Sequence, residues 1–217
     1  MEIKLRDEKR EFEKGVSVLD IAKSISEGLA RVAVCGKVNG SELVDLNAPI
    51  ENDCELEIIT NKSPEYMDVL RHSTAHVLAQ AVKTIFPTAK CWVGPATKDG
   101  FYYDFDFKTP ITNEDLAVIE DEMNKIIKAN FEIVRKQVSK AEAIKLMKDA
   151  HEPYKVELVE GFDDNAVITT YSQGDYVEVC HGPHVKSTGM IKAFKLTKIS
   201  GAYLKGDSKN KMLTRIY

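Results

Sequence analysis

The chain of 217 residues is 43% apolar and 29% charged, with a net charge of −4. That length accommodates one large domain or two small ones with a packed core, the negative balance argues against general adhesion to polyanions, and no apolar run reaches the roughly 20 residues that span a bilayer. The start MEIKLRDEKR lacks an apolar stretch of signal-peptide length, and Cys35, Cys54, Cys91 and Cys180 are scattered without a CxxC, which points to free thiols in a reducing cytosol.

Residues 2–6 and 10–13 read as two short strands around the polar turn Asp7-Glu8-Lys9. Ser17, with Asp20 three residues on, caps a helix whose Leu19, Ile21, Ala22 and Ile25 recur near the helical period. ARVAVCGKVNG is a strand running into an Asn-Gly turn, and CELEIIT, ending at Thr60, alternates as a strand. This pattern predicts a small β-grasp-like module over 1–62. Asn61-Lys62-Ser63-Pro64 is the best boundary, so a second domain covers 63–217. It opens with a helix from about Pro64 to Phe86, stopped by Pro87. Strands follow over 90–94 and 101–107, joined through Asp99-Gly100. Thr112 and Asp115 start a helix with Leu116, Ile119, Met123 and Ile126 on one face. FEIVRKQV reads as a strand, Ser139 and Glu142 as a capping box for a helix near 140–150, and 153–160 as a short helix. VITTYSQGDYVEVC is a strand pair about Gln173-Gly174-Asp175, and MIKAFKLTKISGAYLKG and the end of the chain give further strands. Helices and strands mix without regular βαβ alternation, so the fold class is α+β, with an antiparallel sheet and long helices in the second domain.

Charge divides unevenly. Residues 1–62 carry 9 Lys and Arg against 13 Asp and Glu, and residues 63–217 carry 21 of each. The tail 186–217 holds Lys186, Lys192, Lys195, Lys198, Lys205, Lys209, Lys211 and Arg215 against Asp207 alone. A solvated lysine-rich edge is one reading of that tail, and a local basic surface with salt-sensitive phosphate binding is the other.

Two short motifs carry chemistry. RHSTAHVLAQAV places His72 and His76 four apart on a helix, neighbours at roughly 6 Å between Cβ atoms. At about 100° per residue, Leu70, Val77, Leu78, Ala81 and Ile85 form one stripe, and both histidines, with Lys83, fall nearly opposite. The pair therefore faces solvent or a cleft wall rather than filling the core. CHGPH repeats the spacing with Cys180 and His184 around Gly182-Pro183. Three readings stand open: a zinc site of four protein ligands, a metal-free hydrolytic site in which imidazoles position and activate water, or coincidence of two isolated spacings. Metallopeptidase chemistry does not fit, because Ser73 stands where HEXXH has glutamate.

HSTAHVLAQAV, GFYYDF (Gly100–Phe105), HEPYK (151–155) and CHGPHV (180–185) resemble the amino-terminal region of bacterial threonyl-tRNA synthetases over essentially the whole chain. The resemblance implies a TGS module over 1–62 and an editing domain over 63–217, the latter similar also to the editing domain of alanyl-tRNA synthetases. The implied activity is hydrolysis of mischarged Ser-tRNA(Thr) to serine and tRNA(Thr), in the cytoplasm. Such a step is needed because one methyl gives a synthetic site only about 1–3 kcal/mol of discrimination against serine. The aminoacylation and anticodon-binding domains would follow Tyr217, and the strand-like ending KMLTRIY fits a chain that continues. The full-length enzyme would dimerise through those absent domains.

The resemblance also implies roles. His72, His76, Cys180 and His184 would line the pocket, with His72 or His184 holding the water. Lys155 would orient water or stabilise negative charge, its alternative being an ordinary surface lysine. Glu178 stands where the family has aspartate and would bind the α-ammonium of serine, with a longer side chain. His181 replaces the usual arginine and would contact the tRNA end. Cys180 is either a small wall residue or an acyl-forming nucleophile. Tyr102, Tyr103 and Phe105 read as core and strand-face aromatics, with stacking of one of them, Tyr103, on the terminal adenosine as the alternative. The threonine-type domain is expected to need no cofactor; zinc on His72, His76, Cys180 and His184 is the alternative. Two further readings remain: a non-catalytic tRNA-binding or regulatory module, and a free-standing trans-editing hydrolase, zinc-dependent if it follows the alanine-type domain.

Overall fold

The computed structural model describes residues 1–6 and 8–217. Backbone contacts divide them into two compact units, Met1–Val69 with Gly182–Val185 and Leu70–His181 with Lys186–Tyr217.

In the first unit, β1 (Glu2–Leu5) and β2 (Glu8–Glu11) pair antiparallel. Asp7 of the expected turn lies outside the described residues, and Glu8 and Lys9 already belong to β2. The short β3 (Val16–Ser17) leads into α1 (Val18–Ile25). Ser17 caps α1 as expected: its hydroxyl accepts from the Asp20 amide at 3.0 Å, satisfying one of the orphan donors of the first turn. A second helix, α2 (Glu27–Val32), was not foreseen. Ser26 caps it through the Leu29 amide at 3.0 Å, and the helix takes Ala30, Arg31 and Val32, which read as the start of the strand ARVAVCGKVNG. Then come β4 (Ala33–Val38), β5 (Glu42–Asp45), β6 (Pro49–Ile50) and β7 (Cys54–Thr60). Asn39 and Gly40 take φ of 49° and 74°, the left-handed pair that a tight hairpin between β4 and β5 requires. The sheet order is β2-β1-β7-β4-β5, with β1 parallel to β7. Ile3, Leu5, Val18, Ile21, Ala22, Ala30 and Leu56 form its core, one helix face against one sheet face, as the β-grasp expectation requires.

The chain then enters α3 (Tyr66–Ile85), ended before Pro87. The second unit continues with β8 (Lys90–Cys91), β9 (Ala96–Thr97), β10 (Gly100–Phe101), β11 (Tyr103–Asp106), α4 (Asn113–Ala129), β12 (Val134–Val138), α5 (Lys140–Asp149), α6 (Pro153–Glu160), β13 (Ile168–Gln173), β14 (Tyr176–Val179), β15 (Ile199–Tyr203) and β16 (Met212–Ile216). Strands β15-β16-β11-β8 make one antiparallel sheet and β12-β13-β14 another. Both expected capping boxes are formed, at Thr112 with Asp115 and at Ser139 with Glu142. Leu116, Ile119, Met123 and Ile126 of α4 are all buried, packed in one core with Ala75, Val77, Leu78, Ala81 and Val82 of α3. A smaller core joins Ala143 and Met147 of α5 and Val159 of α6 to Ile168 and Val179.

Several strand readings shorten, among them FEIVRKQV, which is a strand only over Val134–Val138. Within the stretch 90–94 only Lys90–Cys91 is a regular strand, although Trp92 N–H and Val93 O still bond to Asp104 at 2.9 and 3.0 Å; beyond Val93, Pro95 has no N–H for a ladder and the chain passes into the separate β9–β10 hairpin. Residues 191–198 form no strand. Four of the eight basic residues of the tail pair with carboxylates of their own unit. Lys195 pairs with Glu120 at 2.7 Å, Lys205 with Glu157 at 2.6 Å, Lys211 with Asp106 at 2.7 Å, and Arg215 with Asp104 through two bonds of 2.7 and 2.8 Å. Arg215 also lies 3.8 Å from the Tyr102 ring centre.

Candidate active site

Four elements of the second unit bring chemistry to one recess. Helix α3 contributes His72 and His76, and α6 contributes Lys155 from its first turn behind Pro153. Strand β14 contributes Glu178, and the chain leaving it contributes Cys180 and His181. The recess holds about 350 Å³, within the lower range of small-molecule sites. Val93, Gly94, Pro95, Leu158, Phe162 and Val167 complete an apolar wall. Ser73–Val82 is buried on all sides of α3, so of the two surroundings open to the histidines, solvent or a cleft, they have the cleft. Lys83, expected beside them, turns away: it donates to Ala89 O at 2.8 Å and pairs with Glu152 at 2.5 Å.

The polar end of the recess is built around Glu178, which is 3% exposed. Its Oε1 accepts from Lys155 Nζ and from the Tyr103 hydroxyl, and its Oε2 accepts from the Tyr176 hydroxyl at 2.9 Å. His76 Nε2 lies 3.6 Å from the same Oε2. Burial alone would push the Glu178 carboxyl up, but Lys155, Tyr103 and Tyr176 together hold it below its ordinary value. For Lys155, burial works against the ammonium and Glu178 more than offsets it, so the amine is held above its ordinary value. Lys155 is 4% exposed and lines the recess, which removes the surface-lysine alternative. Both tyrosine hydroxyls are pushed well up, by burial first and then by Glu178, so both remain donors.

His72 Nε2 lies 3.0 Å from Cys180 Sγ, and the His72 and His76 rings meet edge to face at 5.1 Å. Burial lowers both imidazoles, His76 well below its ordinary value, and Lys155 adds to that lowering in each. For His72, Glu178 and a hydrogen bond to the Gly94 backbone oppose it. Both rings are therefore neutral at neutral pH. His184 is 3% exposed. Among the described residues, His72, His76, Cys180 and His184 form a group able to hold a metal ion, with one ligand atom from each lying within 4.8 Å of all the others. His181 is exposed and lines the recess.

Tyr103 is placed differently from a stacking platform. It is fully buried, its ring stacks on Phe105 at 4.8 Å, and it meets the site only through its hydroxyl on Glu178. Gly94 makes room for it: a Cβ there would stand 2.1 Å from Tyr103 Cδ2. Tyr176 and Gly94 escaped the sequence reading. Tyr176 had a signal, since it is two residues before Glu178 on one strand and so shares its face; Gly94 had none.

Residues 168–217 match the family described as the threonyl and alanyl tRNA synthetase second additional domain, and residues 2–60 match the TGS domain. A threonine–tRNA ligase of Caldanaerobacter subterraneus subsp. tengcongensis is 56% identical over 218 aligned positions, covering 100% of this chain and 34% of the relative. Those of Acetivibrio thermocellus and Nitrosomonas eutropha are 51% and 52% identical, over 96% and 95% of this chain and 33% and 32% of theirs. The chain thus spans about a third of the length of these relatives. The chain thus combines a TGS domain with a threonyl and alanyl tRNA synthetase second additional domain and is similar, end to end, to about a third of each of these ligases.

Proposed function

We propose that this chain is the editing region of a threonine–tRNA ligase and hydrolyses mischarged Ser-tRNA(Thr) to serine and tRNA(Thr). The boundary between TGS and editing portions is placed after Lys62. The observation that carries this reading is the convergence of two neutral imidazoles, a thiol and a buried ammonium–carboxylate pair on one recess. An aminoacyl ester is already activated, so the site must supply a positioned water, a proton acceptor and a positive group near the developing oxyanion. In this proposal His72 takes the proton of the attacking water as its oxygen bonds to the ester carbon, and returns it to the ribose oxygen of the tRNA as the ester C–O bond breaks. Its second ring nitrogen is engaged at the Gly94 backbone, which leaves Nε2 facing the thiol and the recess. Lys155 spends one N–H on Glu178 and turns its remaining donors to the oxyanion. Three donors on the Glu178 carboxylate leave it one unfilled direction, at Oε2, for the α-ammonium of serine. Cys180 acts as a wall residue that fixes His72, His184 stands beside them as an alternative water holder, and exposed His181 meets the tRNA end.

The donor set of three imidazoles and a thiol within 4.8 Å also suits zinc. In that second reading His72, His76, Cys180 and His184 would hold the ion, which supplies a water of lowered pKa when bound. The fragment's partners in both readings are tRNA(Thr) and Ser-tRNA(Thr), in the cytoplasm, and the whole enzyme dimerises through domains beyond this chain. One experiment separates the cases. Release of serine from Ser-tRNA(Thr) by the wild-type chain is expected, falling at least 100-fold in His72→Ala and unchanged by a chelator. Loss on chelation with recovery on zinc would establish the metal reading. No release by the wild type leaves a tRNA-binding module.

A further inference from the structure

Tyr176 is not among the residues lining the recess, and its hydroxyl donates to Glu178. It stands two residues before Glu178 on β14, so both side chains leave the same face of the strand. Its ring packs against the core of α3 and α4, which leaves the hydroxyl as the group that reaches the site. That hydroxyl takes Oε2 of Glu178 at 2.9 Å, while Tyr103 and Lys155 share Oε1. The two oxygens therefore have different owners. Oε2 also has a competitor, because His76 Nε2 waits 3.6 Å away, just beyond a normal hydrogen bond. A glutamate has one more rotatable bond than an aspartate, so its carboxylate needs an added restraint to hold one orientation.

We propose that Tyr176 is a positioning residue for the deacylation reaction: by occupying Oε2 it keeps the Glu178 carboxylate from rotating toward His76, and so keeps Oε1, and with it the Lys155 ammonium, aimed along the recess. This rests on the editing reading and adds to it a residue that acts without meeting substrate. Loss of the hydroxyl misaligns the charge that stabilises the oxyanion and, to a lesser degree, the oxygen that receives the α-ammonium, while the apolar walls stay intact. The cost therefore falls mainly on kcat, with a smaller rise in KM.

The test is a double-mutant cycle in single-turnover deacylation of Ser-tRNA(Thr), with Tyr176→Phe, Glu178→Gln and the pair, beside Lys155→Ala. Tyr176→Phe is expected to lower kcat about tenfold, the size of one hydrogen bond to a charged group, with a smaller rise in KM. In the Glu178→Gln background the same substitution is expected to cost nothing further, because the amide still accepts from the hydroxyl but no longer carries the charge that holds the Lys155 ammonium in place. A wild-type rate in Tyr176→Phe, an equal loss in both backgrounds, or a loss confined to KM would each overturn the proposal. Full activity in Lys155→Ala would instead sink the underlying mechanism, which keeps the two failures apart. Tyr176→Met, which fills the space flexibly and lacks the donor, replaces the phenylalanine variant in the cycle if circular dichroism shows that variant unfolded.

Discussion

A lysine and a glutamate that are each at least 96% shielded from water hold one another ionised. Neither is tolerable alone: removing one partner leaves a buried charge uncompensated, at a cost of about 3–5 kcal/mol. Lys155→Met and Glu178→Gln are therefore expected to lower the midpoint of urea unfolding strongly. The pair also sets a pH window. The Glu178 carboxyl is depressed in the fold, so its contribution is complete above the unfolded value of 4.5 and is lost as pH falls through the lower folded value. The Lys155 amine is raised, so its contribution is complete below 10.5 and is lost as pH rises through the higher folded value. Stability of the second unit should be flat with respect to this pair between those limits and fall on both sides, and the Glu178→Gln variant should lose the acid-side fall. An unchanged acid limb in that variant would show that other carboxylates govern it.

Between single residues and the whole chain, the wall at Val93–Pro95 carries the sharpest prediction. Gly94→Ala would push a methyl into the Tyr103 ring, and displacement of that ring takes its hydroxyl off Glu178. The expected outcome is a loss of about 1–3 kcal/mol by denaturant titration, together with slower deacylation; a stable, fully active variant would show that Tyr103 yields without consequence. What the chain made legible at this scale was whatever repeats locally. Capping residues Ser17, Thr112 and Ser139, the Asn39-Gly40 turn and the buried face of α4 were all readable, because each rests on contacts a few residues apart. The motif residues His72 and His76 were readable as lying off the core stripe of α3, with solvent and a cleft wall both left open. The Glu178 hub was not, since Tyr103 and Lys155 reach it across 75 and 23 residues. The pairing of the tail was hidden for the same reason: its lysines were countable, but the partners Glu120, Glu157 and Asp106 come from elements up to 105 residues away.

At the scale of the molecule, the two units have separate cores. The first is expected to fold without the second, so a chain of residues 1–62 should show a cooperative thermal transition by circular dichroism, and a structureless spectrum would contradict it. The second unit is organised around a helix of which ten consecutive residues, Ser73–Val82, have no exposed side. Amides shielded in that way exchange their hydrogens with solvent only when the surrounding unit opens as a whole. In deuterated water, the peptide spanning His76 should accordingly be among the last to gain mass, on the clock of global unfolding rather than of local fraying. The imidazole proposed to work beside the thiol would then stand on the slowest-exchanging backbone of its unit, and any motion that admits and releases the tRNA end must be borne by the elements around that helix.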